Sequence, residues 1–335
     1  MRGVVLEANM LNIPIFSFEI FDVTPENQGI PLLASVGSWP GPNWVRGLVT
    51  VVGFALGLGL CLVLVVVEWG AWAMVLPGRR LGSIEPERGP GEPIEARARD
   101  GVRLAGTWHP APAPAGRTVL LLHGFADPTP LRGRIEALNR RGWDVAALDA
   151  RAHGRSEGDR ASFGGRESDD LRAWIDILTD RPGAPERVAV WGRSMGTAIA
   201  IRAAAEDPRI AALVLESPYL DLEDAIAAWL RQLWLPLPRP FARLIAGRAW
   251  TLAGVSLTRP RSIDLAPRIA APALIVHGSG DSLVSPADAR RLATALPRAA
   301  ELIEVAGAGH ANVVGAGGDA LLDRVASFLD GAIDR

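Results

Sequence analysis

The stretch "AVWGRSMGTAIA", Ala189–Ala200, decides the fold. The apolar residues Ala189–Trp191 read as the end of a strand, and the small residues from Met195 onward as the start of a helix. Between them, Gly192-Arg193-Ser194-Met195-Gly196 matches G-x-S-x-G, a turn sharp enough to lift a serine above a sheet edge. Such a turn strains the serine backbone and crowds the positions two residues to either side. Gly192 and Gly196 remove the side chains that would clash there. The helix N-terminus adds partial positive charge where an oxyanion would form. Taken alone, the stretch leaves two readings: Ser194 is a nucleophile, or it is a serine in a tight turn with no chemistry. The rest of the chain must supply a base, an acid and an oxyanion site.

Outward from this turn, strand and helix patterns alternate. "IEARARDGVRLAGTWHPA" reads as two strands around the Asp100-Gly101 turn. "RTVLLLHG", "WDVAALDAR", "RVAVWG", "IAALVLES", "PALIVHG" and "AELIEVAG" read as further strands. Leu131–Arg141, Glu167–Thr179, Met195–Ala205, Pro286–Leu296 and Leu321–Leu329 have helical spacing. This alternation predicts an α/β fold with a mostly parallel central sheet and helices on both faces. An insertion at about 219–265, rich in Trp, Leu, Arg and Pro, interrupts it.

The partners of Ser194 are sought at the C-terminal ends of strands, where ligands bind in open α/β sheets. Of the five histidines, His310 in "VAGAGHAN" follows the last strand, and Gly307 and Gly309 free its backbone to present the ring. The alternative is a water-exposed loop histidine. Asp281 in "VHGSGDSLV" follows the preceding strand; it is the candidate acid, or else a turn or capping aspartate. Asp288 fits a helix first turn instead, with Ser285 as cap and Pro286 opening the helix. The order Ser194, Asp281, His310 is that of a hydrolytic triad on this type of sheet. The oxyanion donors are predicted to be the backbone N–H groups of Met195 and of Phe125 in "HGFAD". His123 is read as bracing that loop.

Four separated pieces, "HGF", "GRSMG", "GSGD" and "GAGH", together resemble the α/β-hydrolase superfamily over about 93–333. "DARAHGRSEG" resembles the D-x-R-x-x-G-x-S loop of its esterase, lipase and serine-aminopeptidase-like branches. In that reading Arg151 and Ser156 tie loops together, and His153 is a surface or loop residue. The resemblance implies that Ser194 attacks an ester-type carbonyl while His310 takes its proton, with no metal and no organic cofactor. It also implies that the insertion is a cap. Trp229, Trp234, Leu235, Leu237 and Phe241 then either line an acyl pocket and dip into a membrane surface, or simply pack on the core. Pro236, Pro238 and Pro240 predict a helix break there. Arg231, Arg239 and Arg243 either meet lipid phosphates or solvate the cap.

The N-terminal part has a different character. Gly47–Val67, "GLVTVVGFALGLGLCLVLVVV", is wholly apolar apart from Thr50. At 1.5 Å per residue it reaches about 30 Å, the thickness of a bilayer core. Arg46 and the following Glu68, Trp69, Trp72, Arg79 and Arg80 suit the water interface. The expected organisation is an N-terminal extension (1–46), a transmembrane anchor (47–76), a linker (77–93) and a hydrolase domain (94–335). A cleaved signal with Ala71-Trp72-Ala73 at its end competes with the anchor, and so does a translation start near Val45. Positive-inside counting leans toward a cytoplasmic catalytic domain on a single-pass membrane protein.

Across 335 residues the net charge is −2, and all 35 basic residues are arginine. That balance argues against a nucleic-acid partner. Cys61 is the one cysteine, so no intrachain disulfide can form. The expected function is therefore membrane-anchored cleavage of carboxylic esters, of hydrophobic or lipid-like kind. A peptidase or acyltransferase with the same triad is the alternative. A peptidase taking free N-termini would want a cap acid such as Asp221, Glu223 or Asp224. A catalytically silent membrane scaffold is the third reading, and a complete candidate triad counts against it.

Overall fold

The computed structural model describes residues 42–76, 88–127, 129–180, 185–298 and 300–333. The predicted extension (apart from its last residues) and most of the predicted linker lie outside them. The chain divides into two compact units, one ending at Val66 and the other running from Val67 to Arg335. Helix α1 (Asn43–Val75) starts directly after Pro42, four residues before the predicted span. It is long and apolar enough to cross a membrane: its most apolar 18-residue window has a mean hydropathy of 2.7, with none of that window buried.

The second unit is built on eight strands. These are β1 (Glu92–Arg97), β2 (Arg103–His109), β3 (Arg117–Leu122), β4 (Trp143–Leu148), β5 (Val188–Arg193), β6 (Ile210–Glu216), β7 (Ala273–Gly278) and β8 (Glu301–Val305). Their order is β1-β2-β4-β3-β5-β6-β7-β8. β1 and β2 pair antiparallel across the Asp100-Gly101 turn, β2 pairs antiparallel with β4, and every later pairing is parallel.

The helices are α2 (Arg132–Asn139), α3 (Glu167–Thr179), α4 (Met195–Ala204), α5 (Leu222–Gln232), α6 (Pro238–Ala253), α7 (Ser262–Leu265), α8 (Pro286–Ala295) and α9 (Val313–Ile333). α8 begins as predicted, with Ser285 capping the Ala287 N–H and Pro286 in first position. Alternation along the parallel strands splits the core into two clusters. Leu120, Val190, Leu213 and Ile275 face one side, with Trp174 and Ile175 of α3 and Ile199 of α4. Val119, Ala189, Val214 and Leu274 face the other, with Ile135 of α2 and Val325 and Leu329 of α9. Burial on both faces explains why these strands read as unbroken apolar runs.

The insertion folds as α5, α6 and α7. α6 opens with Pro238 in its first turn, so the prolines place the helix start rather than merely interrupting it. Trp229, Leu235 and Phe241 are half-buried against the core. Trp234 and Leu237, both with positive φ, instead point outward and are 93% and 70% exposed. Core packing, the second of the two predicted readings, therefore holds for Trp229, Leu235 and Phe241. Arg239 and Arg243 lie 3.3 and 3.9 Å from Asp224 and Glu223.

From Val67 onward, α1 belongs to the second unit and packs against the insertion. Glu68 accepts two hydrogen bonds from Arg248 of α6, at 2.7 and 2.9 Å. Trp69 stacks on Trp229 of α5 with ring centroids 5.6 Å apart. Gly70 fits against Ile245 so closely that a Cβ would come within 2.6 Å of it. Ala71 and Val75 are fully buried, and the Val75 carbonyl accepts from the Ala161 N–H at 3.0 Å. Residues 67–75 are therefore part of the folded unit. A chain begun at residue 77 is expected to melt about 10 °C below one begun at residue 67, since several buried apolar contacts are lost together. Thermal unfolding of the two truncations checks this.

Candidate active site

Ser194 ends the strand–helix turn with φ 48° and ψ −112°, a left-handed conformation that a non-glycine residue adopts only when held there. Its N–H donates to the Glu216 carbonyl at 2.9 Å, and its own carbonyl accepts from the Thr197 N–H (2.9 Å) and hydroxyl (2.6 Å). The flanking glycines are required sterically. A Cβ at Gly192 would meet the Gly196 carbonyl oxygen at 2.3 Å, and one at Gly196 would meet the Leu122 carbonyl oxygen at 2.5 Å.

The other two predicted residues come to the same edge. His310 lies in the loop between β8 and α9, with Nε2 2.9 Å from Ser194 Oγ and Nδ1 2.8 Å from Asp281 Oδ2. Because Nδ1 faces a carboxylate, the proton sits on Nδ1 and Nε2 is left to accept from the serine hydroxyl. Asp281 Oδ1 accepts from the Leu283 and Val284 N–H groups at 2.9 and 2.8 Å. Its Oδ2 also lies 3.3 Å from His277 Nε2, a fully buried second imidazole at the end of β7. Burial alone would raise the Asp281 carboxyl, but the hydrogen bonds from His277 and His310 outweigh it and hold it well below the usual carboxylate range.

The predicted oxyanion donors lie at the ends of β3 and β5. Met195 is the first residue of α4, and Phe125 lies in the turn after β3. Among the described residues, neither N–H donates to a protein acceptor. His123 braces this turn: Nε2 accepts from the Ala150 N–H at 3.0 Å and Nδ1 donates to the Gly124 carbonyl at 2.6 Å. Burial pushes its pKa down, so it stays neutral, as the accepted hydrogen bond requires.

Arg151 is buried and pairs with Asp170 (2.5 and 2.6 Å) and Asp100 (2.8 Å), while Ser156 links the Ala105 N–H to the Asp149 carbonyl. Of the expected surface or loop position, His153 takes the loop but not the surface. It is buried, its ring packs on His123 and Phe125, and Nδ1 lies 2.9 Å from the Arg151 carbonyl. Loops usually lie on the surface; here the rings of His123 and Phe125 cover this one.

Sequence reasoning missed a set of polar residues around Ser194. Glu216, at the end of β6, is fully buried and accepts from Arg134 at 2.7 and 2.9 Å and from Trp191 Nε1 at 3.1 Å. Arg193 pairs with Asp127 and lies 3.4 Å from Glu216. Ser217 donates to the His310 carbonyl at 3.3 Å. A buried charged residue beside a nucleophile was the available signal, but its partners are distant in sequence. A cleft of about 350 Å³ lies at the opposite edge of the sheet, lined by Arg187, Pro208, Pro272 and Arg298. Its lining has no serine, cysteine or histidine, whereas Ser194, His310 and Asp281 converge at the Ser194 edge.

Comparison with known proteins agrees with this architecture. Residues 113–262 match the family model "Serine aminopeptidase, S33", and residues 248–334 match "TAP-like protein". The chain is 30% identical over 232 residues to a monoacylglycerol lipase of Mycolicibacterium smegmatis, covering 57% of this chain and 80% of that one. It is 30% identical over 243 residues to an uncharacterized protein of Mycobacterium tuberculosis, covering 71% and 79%. An esterase of Pyrococcus furiosus superposes with a TM-score of 0.62 at 26% identity, over 75% of this chain and 98% of that one. The chain belongs to the α/β-hydrolase superfamily. Within it, the protein is an enzyme of the serine-hydrolase, esterase- and lipase-like kind.

Proposed function

We propose that the protein is a membrane-anchored serine hydrolase that cleaves carboxylic esters through Ser194, His310 and Asp281. The observation that carries this reading is the relay of short contacts: 2.9 Å from Ser194 Oγ to His310 Nε2 and 2.8 Å from His310 Nδ1 to Asp281. Ser194 Oγ attacks the ester carbonyl as His310 Nε2 takes its proton. Asp281 stabilises the imidazolium without taking a proton itself. The Phe125 and Met195 N–H groups hold the tetrahedral oxyanion. His310 then protonates the departing alkoxide, leaving an acyl-Ser194. Water, deprotonated by the same imidazole, releases the acid. α1 supplies the anchor, and the outward Trp234 and Leu237 support a hydrophobic, lipid-like ester as substrate.

The cap acids speak against amino-terminal peptidase action. Asp221 caps α5 through the Glu223 N–H at 2.9 Å and lies 3.5 Å from Arg259. Glu223 and Asp224 face Arg243 and Arg239. No acid of this group is left without a cation to receive a substrate ammonium.

The test uses the full chain in detergent with p-nitrophenyl esters of rising acyl length and matched p-nitroanilides. The expected result is ester kcat/KM at least about 100-fold above that for the anilides, given the poorer leaving group of an amide. Equal turnover of anilides and esters, or no ester turnover, would overturn the reading.

A further inference from the structure

We propose that Arg193 is a positioning residue: one guanidinium that couples the turn carrying the Phe125 donor to the loop carrying His310. The inference rests on the assignment of Ser194 and His310 above. Arg193 ends β5, immediately before the nucleophile, and its side chain is buried. Nη1 pairs with Asp127. The same carboxylate oxygen of Asp127 accepts the Gly124 N–H at 3.2 Å, and its other oxygen accepts the Thr129 N–H (2.9 Å) and hydroxyl (2.5 Å). Asp127 thus closes the turn that contains Phe125. Nη2 of Arg193 reaches the His310 carbonyl at 3.5 Å, beside the Ser217 hydroxyl at 3.3 Å. Nε lies 3.4 Å from Glu216, whose main-chain carbonyl holds the Ser194 N–H.

Two buried cations, Arg193 and Arg134, therefore face two buried anions, Asp127 and Glu216. The balance matters, because an unpaired charge at this depth is strongly unfavourable. The placement matters more. The fork of a guanidinium can hold several acceptors in fixed directions at once, which a lysine ammonium on a flexible stem cannot. The donor turn, the nucleophile strand and the base loop share no backbone hydrogen bond that does this work among the described residues. Arg193 links them from within the elbow itself, so a shift of any one is passed to the others.

A double-mutant cycle tests this on the full chain in detergent, with p-nitrophenyl butyrate as substrate and active sites counted by fluorophosphonate titration. Arg193→Met and Asp127→Asn are each expected to lower kcat per titrated site by about 10- to 100-fold, the range produced by small misplacements of catalytic groups. KM is expected to stay within about threefold, because these residues orient reacting groups and do not bind the acyl chain. The double variant should be no slower than the slower single variant, since both changes break one linkage. Arg193→Lys should recover only part of the loss. Fully multiplicative losses in the double variant would overturn the proposal. So would an unchanged kcat per titrated site with only the melting temperature lowered. If Arg193→Met alone fails to fold, the charge-balanced double variant carries the test: melting near the parent with kcat still low supports the coupling, and recovery of kcat defeats it. A parent protein that fluorophosphonate does not label would instead bring down the Ser194 assignment, and this proposal with it.

Discussion

Ser194→Ala is expected to lower ester kcat/KM by about 10⁵-fold or more, the scale seen when a triad nucleophile is removed from a serine hydrolase. The residual rate comes from substrate binding and the oxyanion donors. Fluorophosphonate labelling should vanish altogether. Melting should move by only about 3 °C or less, because alanine keeps the elbow's backbone bonds to Glu216 and Thr197 and loses a single half-buried hydroxyl. Activity, labelling and melting are read on one preparation. Labelling that survives in Ser194→Ala would place the nucleophile elsewhere.

Asp281→Asn is the second large effect, and the hydrogen-bond inventory explains its size. Asp281 accepts two backbone N–H groups on Oδ1 and His310 Nδ1–H on Oδ2, and Oδ2 also lies 3.3 Å from His277 Nε2, which is shared with the Val284 carbonyl at 3.1 Å. An asparagine amide must turn its NH₂ toward one of these pairs, donor against donor. If it faces the imidazoles, His310 is driven to the wrong tautomer and its lone pair no longer faces Ser194. A loss of about 10⁴-fold in kcat is expected on that ground. If it faces the backbone, the loop after β7 loses two bonds and the protein is destabilised by about 2–4 kcal/mol.

The pH dependence separates the variants. The Asp281 carboxyl is depressed in the folded state, so its stabilising contribution is complete above the ordinary aspartate value of about 4. It is lost as pH falls below that value toward the folded one. Melting temperatures of parent and Asp281→Asn between about pH 3 and 7 should therefore converge on the acid side. Parallel curves across that range would refute the role given to this carboxylate.

The elbow could be read from the sequence because its constraint is local. Each glycine answers a clash within four residues or with the adjoining strand, so G-x-S-x-G states the geometry directly. The strands were legible for a similar reason: a sheet covered on both faces leaves solid apolar runs such as Leu120–Leu122 and Leu213–Leu215. The positions of Asp281 and His310 followed from strand order. What stayed hidden was held by pairs far apart in the chain. Arg134 meets Glu216 across 82 residues, and Glu68 meets Arg248 across 180. No periodicity or motif marks such pairs, since one charged residue in a turn looks like any other. The burial of His153 stayed hidden for the same reason, since it depends on Phe125 and His123 in another loop. The last turns of α1 looked like the tail of an apolar run, and only side chains such as Arg248 and Trp229 make them part of the folded unit.

The backbone of Ser194 carries one last consequence. A residue with a side chain held at φ 48° costs on the order of 1–3 kcal/mol relative to a relaxed conformation. Glycine is the residue that would sit there at ease, and glycine has no hydroxyl to offer. On the role proposed for Ser194, durability and reactivity pull in opposite directions at this position. The sheet behind Ser194 acts as the frame of a drawn bow, and its close packing is what keeps the string under tension.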